Sequence, residues 1–147
     1  AGLTDRVHIV GPVYGKEKVA ALRDAACLCL PSRSEGFSVV ILEALAAGLP
    51  VVATVESHFK ELETAGAGRV VEVNVEQVAG ALLEVLASDT RAMGRNGRSL
   101  VRRHYTWDRI AGQTLDVYRQ ITLDSVPAPL REQNAARAEE AMVASDL

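Results

Sequence analysis

Apolar residues in this chain fall into short continuous runs closed by turn residues, alternating with stretches where they recur at helical spacing. ACLCLP, Ala26 to Pro31, predicts a strand buried on both faces, and PVVAT, Pro50 to Thr54, predicts a second. Between them Ser38 can act as an N-cap, helix formers continue through Leu45, and Gly48-Leu49-Pro50 supplies a C-cap glycine and then a residue that cannot extend a helix. Strand, helix and strand with short joints predict a right-handed parallel crossover unit.

The flanking segments carry the same alternation. Val7 to Val10 predicts a strand, and GKEKVAALRDA from Gly15 a helix with Val19, Leu22 and Ala26 at helical spacing. A short helix is expected near Phe59 to Thr64, and a strand at Arg69 to Val73, set off by AGAG. Val75, Val78, Ala79, Leu82 and Leu86 repeat with helical period, as do Trp107, Ile110, Ala111, Leu115, Tyr118 and Ile121. Asp89 to His104 predicts a polar helix with internal glycines, basic toward its end at Arg98, Arg102 and Arg103. Those arginines are expected to form a solvated face, with a weak membrane-surface or phosphate role as the alternative. The fold class is therefore α/β, a parallel sheet with flanking helices. Residues 1–122 are expected to form the folded part, and residues 123–147, proline-broken and then alanine-rich and acidic, a partly helical or disordered tail.

Composition narrows the function classes. At 147 residues, 48% hydrophobic and net charge -3, the chain suits a modest single core and makes nucleic acid a poor partner. No apolar run approaches the ~20 residues that cross a bilayer and no signal peptide opens the chain, so a cytoplasmic location is expected. Cys27 and Cys29 alternate on one face of the first buried strand with no further metal ligand beside them; reduced core thiols and no metal are expected.

The candidate chemistry lies in PSRSEGFSVVILEALAAGLPVVAT, Pro31 to Thr54. Glu43 stands alone in the apolar run from Val39 to Ala47, and a carboxylate buried there without a partner is costly, so it must be paired or face something polar. In a parallel crossover unit the turn after the first strand lies at the carboxyl edge of the sheet, where the next helix aims its free N–H groups and anions bind readily. Gly36 lets a ligand approach the backbone, and Phe37, Ser38 and Val39 offer amides suited to a diphosphate. Glu43 can accept from neutral hydroxyls such as those of a ribose, while Glu35, on the turn, sits nearer the far end of such a ligand. The plainer alternatives are an ion pair for Glu43, a helix-dipole role for Glu35, simple N-capping by Ser38 and a solvated His58.

This segment resembles the donor-binding signature of the retaining glycosyltransferases of family four, enzymes with two Rossmann-like domains in the GT-B arrangement. The likeness rests on Pro31, Ser32, Glu35, Gly36, Phe37, Val40, Leu42, Glu43, Ala44, Ala46, Ala47, Gly48, Pro50, Val51, Val52 and Ala53, with seven residues between the glutamates. It implies that Glu43 binds the nucleotide ribose, that Glu35 binds the donor sugar and serves catalysis, and that Gly36 to Val39 contact sugar and diphosphate. VHIVGPV resembles the family's preceding strand and glycine turn, which puts Pro12 and Val13 in the vicinity of the base. SHFKELETAGAGRVVE resembles a loop and strand that carry two glycines and a proline where this chain has Ser57, His58 and Lys60. HYTWDRIAGQTLDVYRQI resembles the closing helix.

The resemblance implies part of a C-terminal GT-B domain, truncated on its N-terminal side, without the acceptor domain or the basic pair that grips the diphosphate. Its complete enzyme would transfer a hexose from UDP- or GDP-sugar with retention, needing no cofactor beyond that substrate, to an acceptor glycan, lipid or small molecule held by the missing domain. That enzyme would be cytoplasmic or peripheral to the membrane; the fragment alone is expected to be inactive and to pair through open sheet edges. The rivals are a non-catalytic nucleotide-binding module and an assembly module.

Overall fold

A computed structural model describes residue 3 and residues 5–125, with side chains described as far as residue 122. The tail expected over residues 123–147 therefore lies almost wholly outside the described residues. The elements are α1 (Gly15–Asp24), β1 (Leu28–Leu30), α2 (Val39–Ala47), β2 (Val51–Thr54), a 3-10 turn (Val55–Ser57), α3 (Glu61–Thr64), β3 (Gly68–Val71), α4 (Val75–Ala87), α5 (Thr90–His104) and α6 (Trp107–Ser125). The chain divides into two compact units, residues 1–105 and 106–147.

In the first unit the three strands form a parallel sheet in the order β1-β2-β3. Leu28 pairs with Val51 and Val51 in turn with Gly68. Side chains alternate between sheet faces, and β2 shows this directly. Val51 and Ala53 join Ile41, Ala44, Leu45, Phe59 and Leu62 in one cluster, whereas Val52 packs with Ala81, Val85 and Met93 in another. β2 is thus covered on both faces, as its continuous apolar run requires, with α2 over one and α4 over the other. Ile41 and Leu45 are completely buried, which contributes about 1.5–3 kcal/mol each.

Helix α2 ends as its sequence dictates. Gly48 adopts φ 83°, and the N–H groups of Gly48 and Leu49 donate to the carbonyls of Leu45 and Ala44, a Schellman termination. Arg98 on α5 donates from Nη2 to the Ala47 carbonyl at 2.6 Å. This arginine, exposed as expected, also closes the end of α2, where the helix dipole favours a cation. α5 comes this close because Gly94 faces the α2 terminus: a Cβ on Gly94 would lie 2.1 Å from the Gly48 carbonyl oxygen. Asp89 caps α5 by accepting from the Ala92 N–H, and Asn74 caps α4 from Gln77.

Three expectations need correction. Val7 to Val10 is not a strand; Val7, Ile9 and Val10 are exposed. A short apolar run takes strand form only where a neighbouring strand supplies hydrogen bonds and packing, and among the described residues none pairs with it. β1 is shorter than its run suggests, and its residues are half-buried because it pairs only with β2 among the described residues. On α4 the buried face is Ala81 and Val85, flanked by half-buried Val78 and Leu82; Val75, Ala79 and Leu86 are exposed, so the inward stripe is rotated by about one residue from the expected one.

The second unit contributes one described element, α6, which begins with the Ile110 N–H donating to the Thr106 carbonyl. The expected apolar positions Trp107, Ile110, Leu115, Tyr118 and Ile121 are all exposed on it. Among the described residues no helix is long and apolar enough to cross a membrane.

The α2–α5 contact yields a test by urea denaturation. Gly94→Ala drives a methyl group into backbone and should lower stability by about 1–3 kcal/mol. Gly80→Ala, in the interior of α4 with open space at the Cβ position, should raise it by about 0.5–1 kcal/mol. Cys27 and Cys29 are free thiols whose pKa values burial pushes up, with Cys27 adding to the shift at Cys29. The unfolded chain then loses these protons first, so stability should fall as pH rises through the ordinary thiol range and beyond; a Cys27→Ala/Cys29→Ala variant should lose most of that alkaline slope.

Candidate functional site

The carboxyl edge of the sheet is built from three strand ends: Pro31 to Ser38 after β1, the 3-10 turn after β2, and the segment after β3. Thr54, at the end of β2, donates its hydroxyl to the Ser32 carbonyl at 2.5 Å, and Ser32 donates its own hydroxyl to Glu35 Oε1 at 2.8 Å. Two hydrogen bonds thus connect the buried central strand to the half-buried Glu35 carboxylate. An aromatic trio holds the other end of the turn. Phe37, more than half exposed, packs beside buried Phe59 at 6.2 Å and Tyr105 at 6.1 Å between ring centroids, and Phe59 and Tyr105 lie 5.5 Å apart. Tyr105 sits at the end of α5; burial, with the Glu61 carboxylate adding, pushes its phenol above the ordinary value.

Ser38 precedes α2 in an extended conformation and is buried, yet makes no side-chain cap hydrogen bond, and the first turn holds no acid. The start of α2 therefore has neither a capping side chain nor a carboxylate against its positive end. A Cβ at Gly36 would meet no atom within 4 Å, so the turn borders open space.

Glu43 lies farther along α2. Its Oε1 accepts from Lys18 Nζ of α1 at 2.6 Å, with about a third of each side chain exposed. Both residues line an open cleft of about 1000 Å³ between α1 and α2, together with Val19, Leu22, Ala46 and Ala47. The ion-pair alternative for Glu43 is thus part of the structure, with a lysine as partner. Glu35, Gly36, Phe37, Ser38 and Val39 do not line this cleft, nor do Pro12 and Val13, which precede α1 in irregular chain. The structure brings together Glu35 through Val39 on the turn, and Glu43 with α1, as two adjoining parts of one edge-to-helix segment.

Residues missing from the sequence reading complete the picture. Lys18 carried a signal: it lies four residues before Leu22, the α1 residue that packs on the core, and so shares its face. Tyr105 carried none, because the residues it touches are remote in sequence. Ser57 is buried with its hydroxyl unpartnered, and His58, exposed, takes φ 53°, the left-handed region. A second hollow of about 400 Å³ on the α4 side is lined by Pro31, Arg33, Thr54, Val73, Val75 and Leu82, among others. Among the described residues no three His, Cys, Asp or Glu side chains gather as metal ligands would.

The profile of the family "Glycosyl transferases group 1" matches residues 1–100. The chain is 32% identical over 124 residues to the MMP alpha-(1->4)-mannosyltransferase of Mycolicibacterium hassiacum, covering 81% of this chain and 30% of that protein. It is 34% identical over 129 residues to the GDP-mannose-dependent alpha-(1-6)-phosphatidylinositol monomannoside mannosyltransferase of Mycobacterium tuberculosis, covering 80% and 34%. Among solved structures, sucrose-phosphate synthase from Thermosynechococcus elongatus superposes with a TM-score of 0.70 at 32% identity, over 84% of this chain and 32% of that one. The chain spans about a third of the length of these relatives. The parallel sheet with flanking helices corresponds to part of a Rossmann-like GT-B domain.

His58 offers a local test, because left-handed backbone disfavours any residue with a Cβ, branched ones most. His58→Gly should hold or raise stability by up to about 1 kcal/mol, while His58→Val should lower it by about 1–2 kcal/mol in the same denaturation assay.

Proposed function

The chain belongs to the glycosyl transferases group 1 family, and from that premise we propose that its Glu35–Glu43 segment binds the nucleotide-sugar donor of a retaining hexosyltransferase. One observation carries this reading: helix α2 begins without a capping side chain or an acid, at the carboxyl edge of a parallel sheet, beside open space at Gly36. Such a helix start favours an anion, and a diphosphate supplies one at amide range from Gly36 to Val39. Glu43 uses only Oε1 for Lys18, which leaves Oε2 for a ribose hydroxyl. Glu35, fixed through Ser32, accepts from donor-sugar hydroxyls. Pro12 and Val13 serve the base, UDP or GDP being the carrier, and GDP-mannose, named for one relative, is the first donor to try.

In the longer enzyme the donor hexose passes with retention to an acceptor hydroxyl, and fixed dipoles at the start of α2 stabilise the leaving diphosphate. No metal or other cofactor is needed. In this reading the segment from Glu35 to Glu43 serves the donor side of the reaction. The assembly reading has one observation behind it, that β1 pairs on one side only among the described residues.

Titration of the chain with UDP, GDP and their sugar conjugates, followed by amide resonances, tests the proposal. Shifts are expected at Gly36 to Val39 and around Glu43. Glu43→Ala should weaken binding of the bare nucleotide about 10-fold or more, as loss of a hydrogen bond to a charged group does. Its stability cost should stay near or below about 1 kcal/mol, the worth of an exposed pair. Glu35→Ala should weaken only the sugar-linked ligand. Silence of all these resonances toward every ligand would overturn the assignment.

A further inference from the structure

Helix α5, Thr90–His104, contains Arg91, Arg95, Arg98, Arg102 and Arg103 and not one Asp or Glu. The first four of these arginines follow each other at steps of four, three and four residues, which places them in one line down a single helix face. At 1.5 Å per residue that line is about 16 Å long. The orientation of the face is fixed, because Met93, Gly94 and Gly97 bury the adjoining side, with Gly94 against the end of α2; Arg91 and Arg98 border that junction, while Arg95 and Arg102 stand farther out from it. All five arginines are exposed. Arg98 bonds the Ala47 carbonyl and Arg103 bonds Ser99, which hold those two side chains in place. Arg95 and Arg102 make neither a hydrogen bond nor an ion pair, and no carboxylate pairs with any of the five among the described residues.

Between these side chains runs a shallow groove of about 330 Å³ lined by Arg95, Arg98, Ser99, Arg102 and Arg103. No carboxylate lines it. The chain as a whole carries net charge -3, so the excess of cations on α5 is matched by an acidic remainder. A molecule with this asymmetry turns its basic face toward a negative plane and its acidic body away from it.

We propose that the outward face of α5 docks on an anionic bilayer, its arginines pairing with the phosphates of lipid headgroups. Guanidinium groups bind phosphate through paired N–H donors, and a row of them on a convex helix suits mobile headgroups that rearrange around each side chain. The shape and chemistry favour a membrane over a polynucleotide. α5 has no Phe, Tyr or Trp on which a base could stack, and its one ring, His104 at its end, already packs edge-on against Tyr105; its Asn96 amide is bonded to the Gly66 carbonyl, and the acidic body repels a polyanion longer than the stripe. Because the apolar residues of α5 are spent on the two core clusters, attachment is electrostatic and releasable by salt.

Cosedimentation of the full chain with lipid vesicles tests this. Binding is expected to vesicles of equal parts phosphatidylcholine and phosphatidylglycerol at low ionic strength, to be absent with phosphatidylcholine alone, and to be lost as salt shortens the screening length. Each juxtamembrane arginine is worth on the order of fivefold in partitioning, so Arg95→Gln/Arg102→Gln should weaken binding about 25-fold. Arg95→Glu/Arg102→Glu should abolish it. Neither residue bonds the fold, and circular dichroism of both variants verifies that they fold; the Gln pair alone suffices if the Glu pair does not. The control Arg6→Glu/Arg33→Glu, exposed cations outside α5 with Arg33 on the α4 side of the sheet, should shift binding by no more than about twofold. No binding to the anionic vesicles, a control that matches the stripe variants, or an oligonucleotide that displaces the vesicles completely would each overturn the proposal.

Discussion

Helix α2 is enclosed by the sheet on one side and by α5 on the other, and backbone contact between Gly48 and Gly94 sets how closely the second side approaches. Much of the first unit depends on this. With no Cβ between them, the end of α2 can take the left-handed turn at Gly48, Arg98 can reach the Ala47 carbonyl, and Leu45 is sealed from water. The same contact fixes which side of α5 faces out, and so decides that the arginines meet solvent. It also anchors α2 at its far end, which leaves its start to point at the carboxyl edge of the sheet. Two surfaces of opposite use, one helix start and one helix face, are thereby set by one tight approach.

The turn in front of α2 is held from outside itself. Thr54 and Ser32 relay the central strand to Glu35, while Phe59 and Tyr105 pack on Phe37 from two other parts of the chain. Each tie is modest alone, about 0.5–1.5 kcal/mol for a net hydrogen bond or an aromatic pair. Together they bracket the backbone whose amides matter to the proposed site. The following loop keeps His58 in left-handed backbone at a position where the family pattern has glycine, a local cost that the surrounding packing must sustain.

How far the sequence led depended on the range of the forces involved. The unit from β1 to β2 was legible because its signals are local: an apolar run, a capping glycine at Gly48, a stop at Pro50. The inward face of α4 was not, since Val75 and Leu86 have the right period but Ala81 and Val85 have the right angle, and only contact with Val52 chooses between them. Val7 to Val10 has the composition of a strand without a partner to make it one. Glu35 and Glu43 stood out as unusual residues, yet the Lys18 that meets Glu43 lies 25 residues away, and the ring of Tyr105 that backs Phe37 is farther still. Composition names candidates for chemistry; the fold decides what stands beside them.

The ion pair between Lys18 and Glu43 explains how a carboxylate survives in an apolar helix without settling what it is for. About a third of each side chain is in contact with water, so the pair escapes the full desolvation of a buried one and is worth at most about 1 kcal/mol. So weak a tie is a poor reason to keep an acid among Val, Ile and Leu, where an alanine would favour the helix. It also costs little to break. Lys18 occupies one carboxylate oxygen and leaves the other open to the cleft it shares with α1, so a hydroxyl donor can bond Glu43 with the lysine still in place. Pairing and ligand binding are therefore compatible uses of one side chain, and the lysine holds the carboxylate at the cleft between α1 and α2 where the proposed ribose would lie.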